Sequence, residues 1–452
     1  MSLSRSILTT LCTAILLFGA GGLPITAQKK GDDKRNANMP PPAPPTPFSE
    51  VRRDSLLNGF HLVTYETSAE RVKCDVVLRS GAMFDLQGKS GLALMTQATL
   101  LGVNPQLKEE ISSLKGEIDW GVNSDSTWFH LEVPAASLDN ALEILARQVV
   151  VENIRADSFK RAQAAQIERV ADSKSSMTPA GSADEAFLAA LYREHPYGRT
   201  VEGNEKTNTA VVQGDVYDFE RRFYLANNAS IVVVGPVNHD RVLRTLKLLF
   251  GGWVKGAIVP STFRQPQRTT EVRVVKVEAP NLSKVELRGG VIGLRATDQD
   301  YLIAQVLARI LEARLKRDAS VQGGDRVSVE ALARVLPGPI FFSASIAPDR
   351  AQAFSRAATD GFAAMASEIV SAEELAAAKA SLSSERAAMS IGDQLRQIEF
   401  YSLPRNYPLT FAPRLDAVTA ADIQRVGRRL LTANALTVVV FGPVGEAFKP
   451  QT

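Results

Sequence analysis

The sequence predicts an α+β fold of two homologous domains, each a mostly antiparallel sheet packed with helices. The first observation is an internal repeat. Residues 215–237 lie over residues 422–444 at a constant shift of 207, with ten identities in 23 ungapped positions running from Asp215/Asp422 to Val237/Val444. A helix, a short turn and an apolar strand ending in Gly-Pro therefore close each half. The second observation is the pattern inside the halves, where alternating strand-like runs are interspersed with helix-like runs. The third is size: each half holds roughly 200 residues, enough to bury its own core.

The chain has 452 residues, a formal net charge of +3, 22% charged residues and 45% in the hydrophobic set. A balance this near neutral gives no electrostatic reason to expect nucleic acid or an anionic membrane surface as a partner. At the N-terminus, Arg5 precedes an uncharged apolar run from Ile7 to Ala20, which Gly21, Gly22 and Pro24 break ahead of the small residue Ala27. That run is short for a bilayer span. Residues 1–27 read as a signal peptide, with an uncleaved anchor as the alternative, and the protein is expected to be exported, periplasmic or secreted. No membrane contact beyond this export signal is expected. Residues 28–50 are charged and then Pro-rich, the composition of a semi-extended linker.

The domains are expected at 51–258 and 264–449, meeting near Val259–Thr262. In the first, Gly59–Tyr65 and Val72–Leu78 read as strands. The apolar set Val72, Cys74, Val76 and Leu78 is opposed by Lys73, Asp75 and Arg79, the signature of a sheet with one wet face. Cys74, the one thiol left after signal removal, belongs to the apolar set as a buried, inert group. Thr127–Val133 alternates in the same way and stops at Pro134. Helices are expected at Ser90–Leu101, closed by Gly102, at Ser137–Val151 and at Asp157–Asp172. In the second domain the strands are Val272–Val277, Lys284–Arg288, Val327–Ala333 and Phe341–Ile346. Its helices are Asp298–Leu315, behind Thr297 with Asp300 three residues on, and Ala372–Ala388, capped by Ser371 with Glu374.

Chemistry-bearing motifs are scarce. The four histidines, His61, His130, His195 and His239, are far apart in sequence. His130 is expected on the polar face of a strand, and His195 in a Pro-Tyr-Gly turn that its hydrogen bonds hold. His61 and His239 read as surface or strand residues. There is no Gly-x-Ser-x-Gly elbow and no phosphate-binding Gly-x-x-x-x-Gly-Lys-Ser/Thr loop, so neither a serine hydrolase nor an NTPase is indicated.

The segment Arg79–Ala93, with its Gly81 and Gly88 turns and its Gly91-Leu92-Ala93 entry, resembles the approach to the active-site helix of the insulinase/pitrilysin-type peptidases. Asp119–Val133 is similar to the paired strands beside that family's substrate cleft, with Asn123, Ser124, Asp125 and Thr127 at the turn. His195-Pro196-Tyr197-Gly198 matches its His-Pro-Tyr-Gly segment. Asn227-Asn228-Ala229, followed by Ile231–Gly235, matches its helix–strand close. The resemblance covers about residues 50 to 450 and implies a metallopeptidase-like duplicated module.

In the family, H-x-x-E-H puts two imidazoles on one helix face to hold Zn²⁺, and its Glu takes a proton from the metal-bound water. Laid on the Gly91-Leu92-Ala93 entry, those positions are Leu94, Gln97 and Ala98. Leu94 and Ala98 have no lone pair for a metal, and Gln97 is no base at neutral pH. The family's downstream carboxylate aligns with Glu168, at a shorter spacing. Zinc is expected in the family, but its ligands are lacking here, so no metal, cofactor or catalytic residue is expected.

What the resemblance leaves is peptide binding. The family adds extended peptides to a sheet edge inside a chamber made of two two-domain halves. This chain is long enough for one half, and relatives without H-x-x-E-H commonly pair with a half that carries it. Trp120, Asn123, Ser124 and Trp128 are the candidates for peptide contact. Arg317 is the candidate for the Arg of the family's Arg–Tyr pair, although no Tyr lies between Tyr301 and Tyr401 and Ala319–Asp325 reads as a flexible loop. The expected function is that of a non-catalytic partner subunit positioning peptides for an H-x-x-E-H-bearing chain. The alternatives are a homodimeric peptide-binding scaffold and an atypical active metallopeptidase.

Overall fold

A computed structural model describes residues 47–102, 104, 106–150, 154–176, 178–257, 265–431 and 435–445. The expected signal peptide, most of the linker, the inter-domain boundary at Val259–Thr262 and residues 446–449 lie outside the described residues. From Thr46 onward the chain forms one unit, within which two modules are recognisable. The linker's last residues, Pro47–Glu50, are a helical turn whose Phe48 packs against apolar residues of both halves.

Among the described residues, eleven strands form two sheets. The first module contributes β1 (Arg52–Ser55), β2 (His61–Glu66), β3 (Arg71–Leu78), β4 (Glu117–Val122), β5 (Thr127–Pro134) and β6 (Ala229–Gly235), in the order β1-β2-β6-β3-β5-β4. The second contributes β7 (Arg273–Glu278), β8 (Val285–Ile292), β9 (Arg326–Ala331), β10 (Pro339–Ile346) and β11 (Thr437–Gly442), in the order β7-β11-β8-β10-β9. All neighbours are antiparallel except β2 with β6 and β7 with β11. First-module helices are α1 (Leu92–Leu101), α2 (Leu107–Ser113), α3 (Leu138–Val149), α4 (Ala156–Ser176), α5 (Pro179–Tyr192), α6 (Glu205–Ala210), α7 (Gln213–Phe223) and α8 (His239–Phe250). Second-module helices are α9 (Tyr301–Lys316), α10 (Ala351–Ser367), α11 (Ala372–Ala388), α12 (Ile391–Tyr401), α13 (Tyr407–Asp416) and α14 (Ala420–Leu430).

The repeat is structural as well as sequential. Helices α7 and α14 begin and end at residues 207 apart, as do Gly235 and Gly442, the last residues of β6 and β11. Gly235 pairs with Glu66 in parallel register, and Gly442 pairs with Glu278 in the same way. Both glycines have positive φ, 152° and 143°, and each lies against the first residues of the antiparallel neighbour, near Val72 and Val285 respectively.

Each sheet packs one face on its own module's helices. Val72, Cys74, Val76, Leu78, Phe129 and Leu131 fill that core in the first module with Leu92 and Met95 of α1. Burial raises the Cys74 thiol pKa far above its ordinary value, as an inert group requires. The opposite face is less wet than the alternation suggests. Helix α12, from the second module, covers part of it with Leu395 and Ile398 on Val63, Tyr65 and Val232. Asp75 and Val77 are buried there. Reciprocally, α5 of the first module packs on the second sheet, with Phe187 and Leu191 against Ile292 and Val439.

Two local expectations change. Helix α9 starts at Tyr301, not at Asp298, and Thr297 does not cap it. The Asp298 carboxylate bonds Arg295 N at 2.9 Å, while Asp300 is held by Arg425 and Arg429. His239 is a buried residue at the start of α8, not a surface one; Thr64 and Asp54 engage its two ring nitrogens at 2.7 and 3.0 Å. The helix predicted at Ala372–Ala388 has the expected bounds, with the Ser371/Glu374 capping box formed.

Candidate functional site

Helix α1 begins where it does for an identifiable reason. The Asp85 carboxylate accepts from Gly91 N at 2.7 Å and from Ala93 N at 2.8 Å, satisfying amides that a helix leaves open at its start. Gly91 has φ 100°, and a Cβ there would fall 2.2 Å from Asn208 Oδ1 and 2.6 Å from Gln166 Nε2. Only glycine fits. Gln166, buried on α4, in turn donates to Gly91 O at 2.9 Å and to Asn208 Oδ1 at 3.0 Å, which ties α4 and α6 to the helix entry. Burial pushes the Asp85 carboxyl up to about 7, against the pull of the Ala93 and Gly91 amides and of Arg199.

The motif positions follow on α1. Leu94 and Ala98 are half-buried, one turn apart. Gln97 is buried between them and donates from Nε2 to Trp128 O at 3.2 Å and Gly121 O at 3.3 Å. It thus fastens the helix to the β4–β5 hairpin. Glu168 is exposed on α4, whereas Ala162 and Gln166 on the same helix are buried with α1. Two hydrocarbon side chains, an amide and an exposed carboxylate do not suit Zn²⁺. Among the described residues, no group of three or more His, Cys, Asp or Glu stands close enough to hold a metal ion.

Strand β4 is the outer strand of its sheet beside α1. The candidate peptide-contact residues separate here. Trp120 lies on the α1 side, its ring under Lys108 Nζ at 4.8 Å. Trp128 lies on the opposite face, lining two cavities there. The Asn123 side chain is engaged within its own turn, accepting from Asp125 N and Ser126 N, both at 2.8 Å. Asn123 O and Ser124 O accept from Ala82 N and Met83 N. Arg317 is exposed at the end of α9, donating to Ala313 O, and lines none of the cavities described below. The loop expected to be flexible, Ala319–Asp325, is pinned: the Asp325 carboxylate is buried and takes Lys284, Arg350 and Gln322 N.

The largest cavity described, about 880 Å³, does not open on α1. It lies on the other face of the first sheet, floored by Lys73, Asp75, Trp128 and His130 and walled by the start of α12. Asp75 receives His130 Nδ1 at 2.9 Å and Arg396 Nη1 at 3.0 Å. The hydrogen bond to Asp75 holds the His130 pKa above its ordinary value. Two smaller cavities, about 390 and 490 Å³, share Asn123, Ala333, Phe400 and Tyr401 and form a cleft between the modules at the end of β4. At that junction the Tyr197 hydroxyl donates to Asp125 and accepts from Leu336 N at 3.0 Å, with the Arg334 guanidinium over its ring at 4.7 Å. The His-Pro-Tyr-Gly segment therefore clamps the modules together, and His195 shapes it by accepting from Tyr197 N. Arg334, on the loop after β9, and Tyr401, the last residue of α12, escaped sequence reasoning because no local pattern announces that the fold brings them together at the cleft.

Comparison with known proteins agrees with this architecture. Residues 62–205 match the family described as insulinase (peptidase family M16), and residues 210–382 match the peptidase M16 inactive domain. A probable mitochondrial-processing peptidase subunit beta from Arabidopsis thaliana is 24% identical over 303 residues, 63% of this chain and 54% of that protein. The zinc protease PqqE of Helicobacter pylori is 26% identical over 270 residues, 57% of this chain and 60% of that protein. The chain spans about half the length of the curated relatives it matches. A peptidase M16 inactive domain from Pseudomonas fluorescens has the same fold, with a TM-score of 0.79 at 21% identity over 89% of this chain and all of that one.

Proposed function

This chain belongs to the insulinase (M16) peptidase family, and on that premise we propose that it is a non-catalytic half that positions extended peptides for a separate, H-x-x-E-H-bearing chain. The observation that carries the reading is Gln97. Where the family's motif places a carboxylate base between two imidazoles, this helix has an amide that donates to Gly121 O and Trp128 O, flanked by Leu94 and Ala98. The position has become a fastening between helix and hairpin. No general base or metal ligand is supplied from α1.

Peptide holding is supported by the outer strand β4 and by the cleft at its end. A peptide laid along β4 would gain main-chain hydrogen bonds that make no demand on sequence. Its side chains would alternate between the Trp120 face and the Trp128 face. Trp120, Ser124 and Trp128 are the contacts we assign to it, with Arg334 and Tyr401 at the inter-module end; the Asn123 side chain instead keeps the turn in shape. Export to the periplasm is proposed from residues 1–27. No helix of the described residues is long and apolar enough to cross a membrane.

The purified chain should contain substoichiometric zinc and should not cleave unfolded peptide substrates, with or without chelator. Added to an H-x-x-E-H-bearing two-domain chain, it should form a complex and raise that chain's cleavage rate. Stoichiometric zinc together with chelator-sensitive cleavage by the isolated chain would overturn the proposal. A self-pair with no effect on a catalytic chain would point instead to the scaffold reading.

A further inference from the structure

The duplication gives the α1–α4 seam a counterpart in the second module, between α9 and α11. The two seams have diverged in chemistry. Beside the α9–α11 seam lies a cavity of about 320 Å³, toward which α9 contributes Tyr301 and Gln305, one turn apart, and α11 contributes Arg386. Helix α13 adds two rings, Tyr407 and Phe411, whose centroids are each 5.4 Å from the Arg386 guanidinium. The Arg386 Nε and Nη2 atoms are buried and have no hydrogen-bond partner among the described residues. Nη1 reaches Gln397 Oε1 at 3.4 Å and Met389 Sδ at 4.0 Å, both weak contacts.

That unpartnered pair of atoms is the side-on edge of the guanidinium, whose parallel N–H bonds match the two oxygens of one carboxylate. Two other arginines on the same seam use this edge in that way. Arg309 holds both oxygens of Glu385 at 2.9 and 2.8 Å, and Arg314 holds both oxygens of Glu374 at 2.7 and 3.0 Å. Glu385, next to Arg386 in sequence and also on the cavity's lining, is thereby neutralised by Arg309 and not by Arg386. The Tyr301 and Tyr401 hydroxyls are also engaged, on Ala331 O and Ala333 O. Arg386 is partly buried as a residue, but these two donors are covered and unpaired, which costs stability unless a small movement lets an anion complete them.

We propose that this cavity binds a carboxylate carried on an apolar or aromatic body, gripped by Arg386 and packed among the rings. Its volume is at the small end of ligand sites. Two sources share that chemistry: the C-terminal residue of a peptide and a free aromatic acid. The cavity shares Ala333, Gln397 and Tyr401 with the inter-module cleft, but the site does not depend on peptide being held at β4.

Calorimetric titration of the full chain tests it with four probes: phenylacetate, N-acetylphenylalanine, N-acetylphenylalanine amide, and the tetrapeptide Ala-Ala-Ala-Phe with a free C-terminus. The acids should bind saturably at one per chain, the amide at least tenfold more weakly, and Arg386→Met should weaken the acids at least tenfold, with Arg386→Lys in between. Tetrapeptide binding tighter than N-acetylphenylalanine supports a peptide terminus as the source; equal or weaker binding supports a free acid. Absence of acid binding, equal binding of the amide, or undiminished acid binding by Arg386→Met would overturn the site. The acid–amide comparison uses the unaltered protein, so it decides the matter even if the variants fail to fold.

Discussion

Asp85 does for α1 what a capping side chain ordinarily does from the position just before a helix, but it does so from six residues away from Gly91. Because burial raises its pKa to about 7 from roughly 3.9 in an unfolded chain, the folded state holds the extra proton between those values. The associated stability is complete below about pH 4 and is lost as pH rises toward 7. Urea denaturation at pH 5 and pH 8 should show this decline in the native protein, and Asp85→Asn should flatten it. Asp85→Ala removes both acceptors and should cost about 1–2 kcal/mol at pH 5. The segment from Arg79 to Ala93 was legible as the approach to an important helix. The role of Asp85 was not, because it depends on a tight turn through Gly88, φ 77°, that folds residues 85 and 91 together. His239 escaped for the same kind of reason: its partners Asp54 and Thr64 come from strands far earlier in the chain.

Among the elements, those defined by local chemistry were read most closely. The Ser371 capping box and the alternation of β5 depend on residues a few positions apart, and the repeat of β6 in β11 shows directly as identities at a fixed shift. The start of α9 was misplaced because Asp300 answers to Arg425 and Arg429 of α14, and Asp298 to Arg295, instead of to the helix's own amides. The strand ends make a quantitative test of the duplication. A Cβ on Gly235 would sit 2.7 Å from Arg71 O and 2.8 Å from Val72 Cα, whereas on Gly442 the equivalent contacts are 3.0 and 3.1 Å. Both positions also carry positive φ. Gly235→Ala and Gly442→Ala should each destabilise by roughly 1–3 kcal/mol, with Gly235→Ala the more costly, as read from denaturant midpoints.

At the scale of the whole molecule, the modules trade roofs: α12 covers the first sheet and α5 covers the second. Each exchange carries a charge pair, with the signs reversed. Asp75 on β3 takes Arg396 of α12, and Arg288 on β8 takes Asp184 of α5. No sequence pattern announces this, since the partners are one to three hundred residues apart. The two ends of the second pair should respond differently. Asp184 is half-exposed, so Asp184→Ala should cost no more than about 1 kcal/mol. Arg288→Met leaves Glu286 buried with Ser345 as its remaining side-chain partner, and should cost about 3 kcal/mol. Guanidinium melts of the two variants would rank them.

The exchange also sets a timetable for the nascent chain. Helix α5 is complete at Tyr192, but its seat on β11 does not begin until Thr437. At about 5–20 residues per second, the ribosome needs on the order of ten to fifty seconds to supply that strand. Phe187 and Leu191 gain Ile292 of β8 part-way through but lack Val439 until the interval ends, and the first sheet has no roof until α12 emerges. Synthesis thus passes through a long window in which the uncovered apolar faces are open to aggregation or to a holding chaperone.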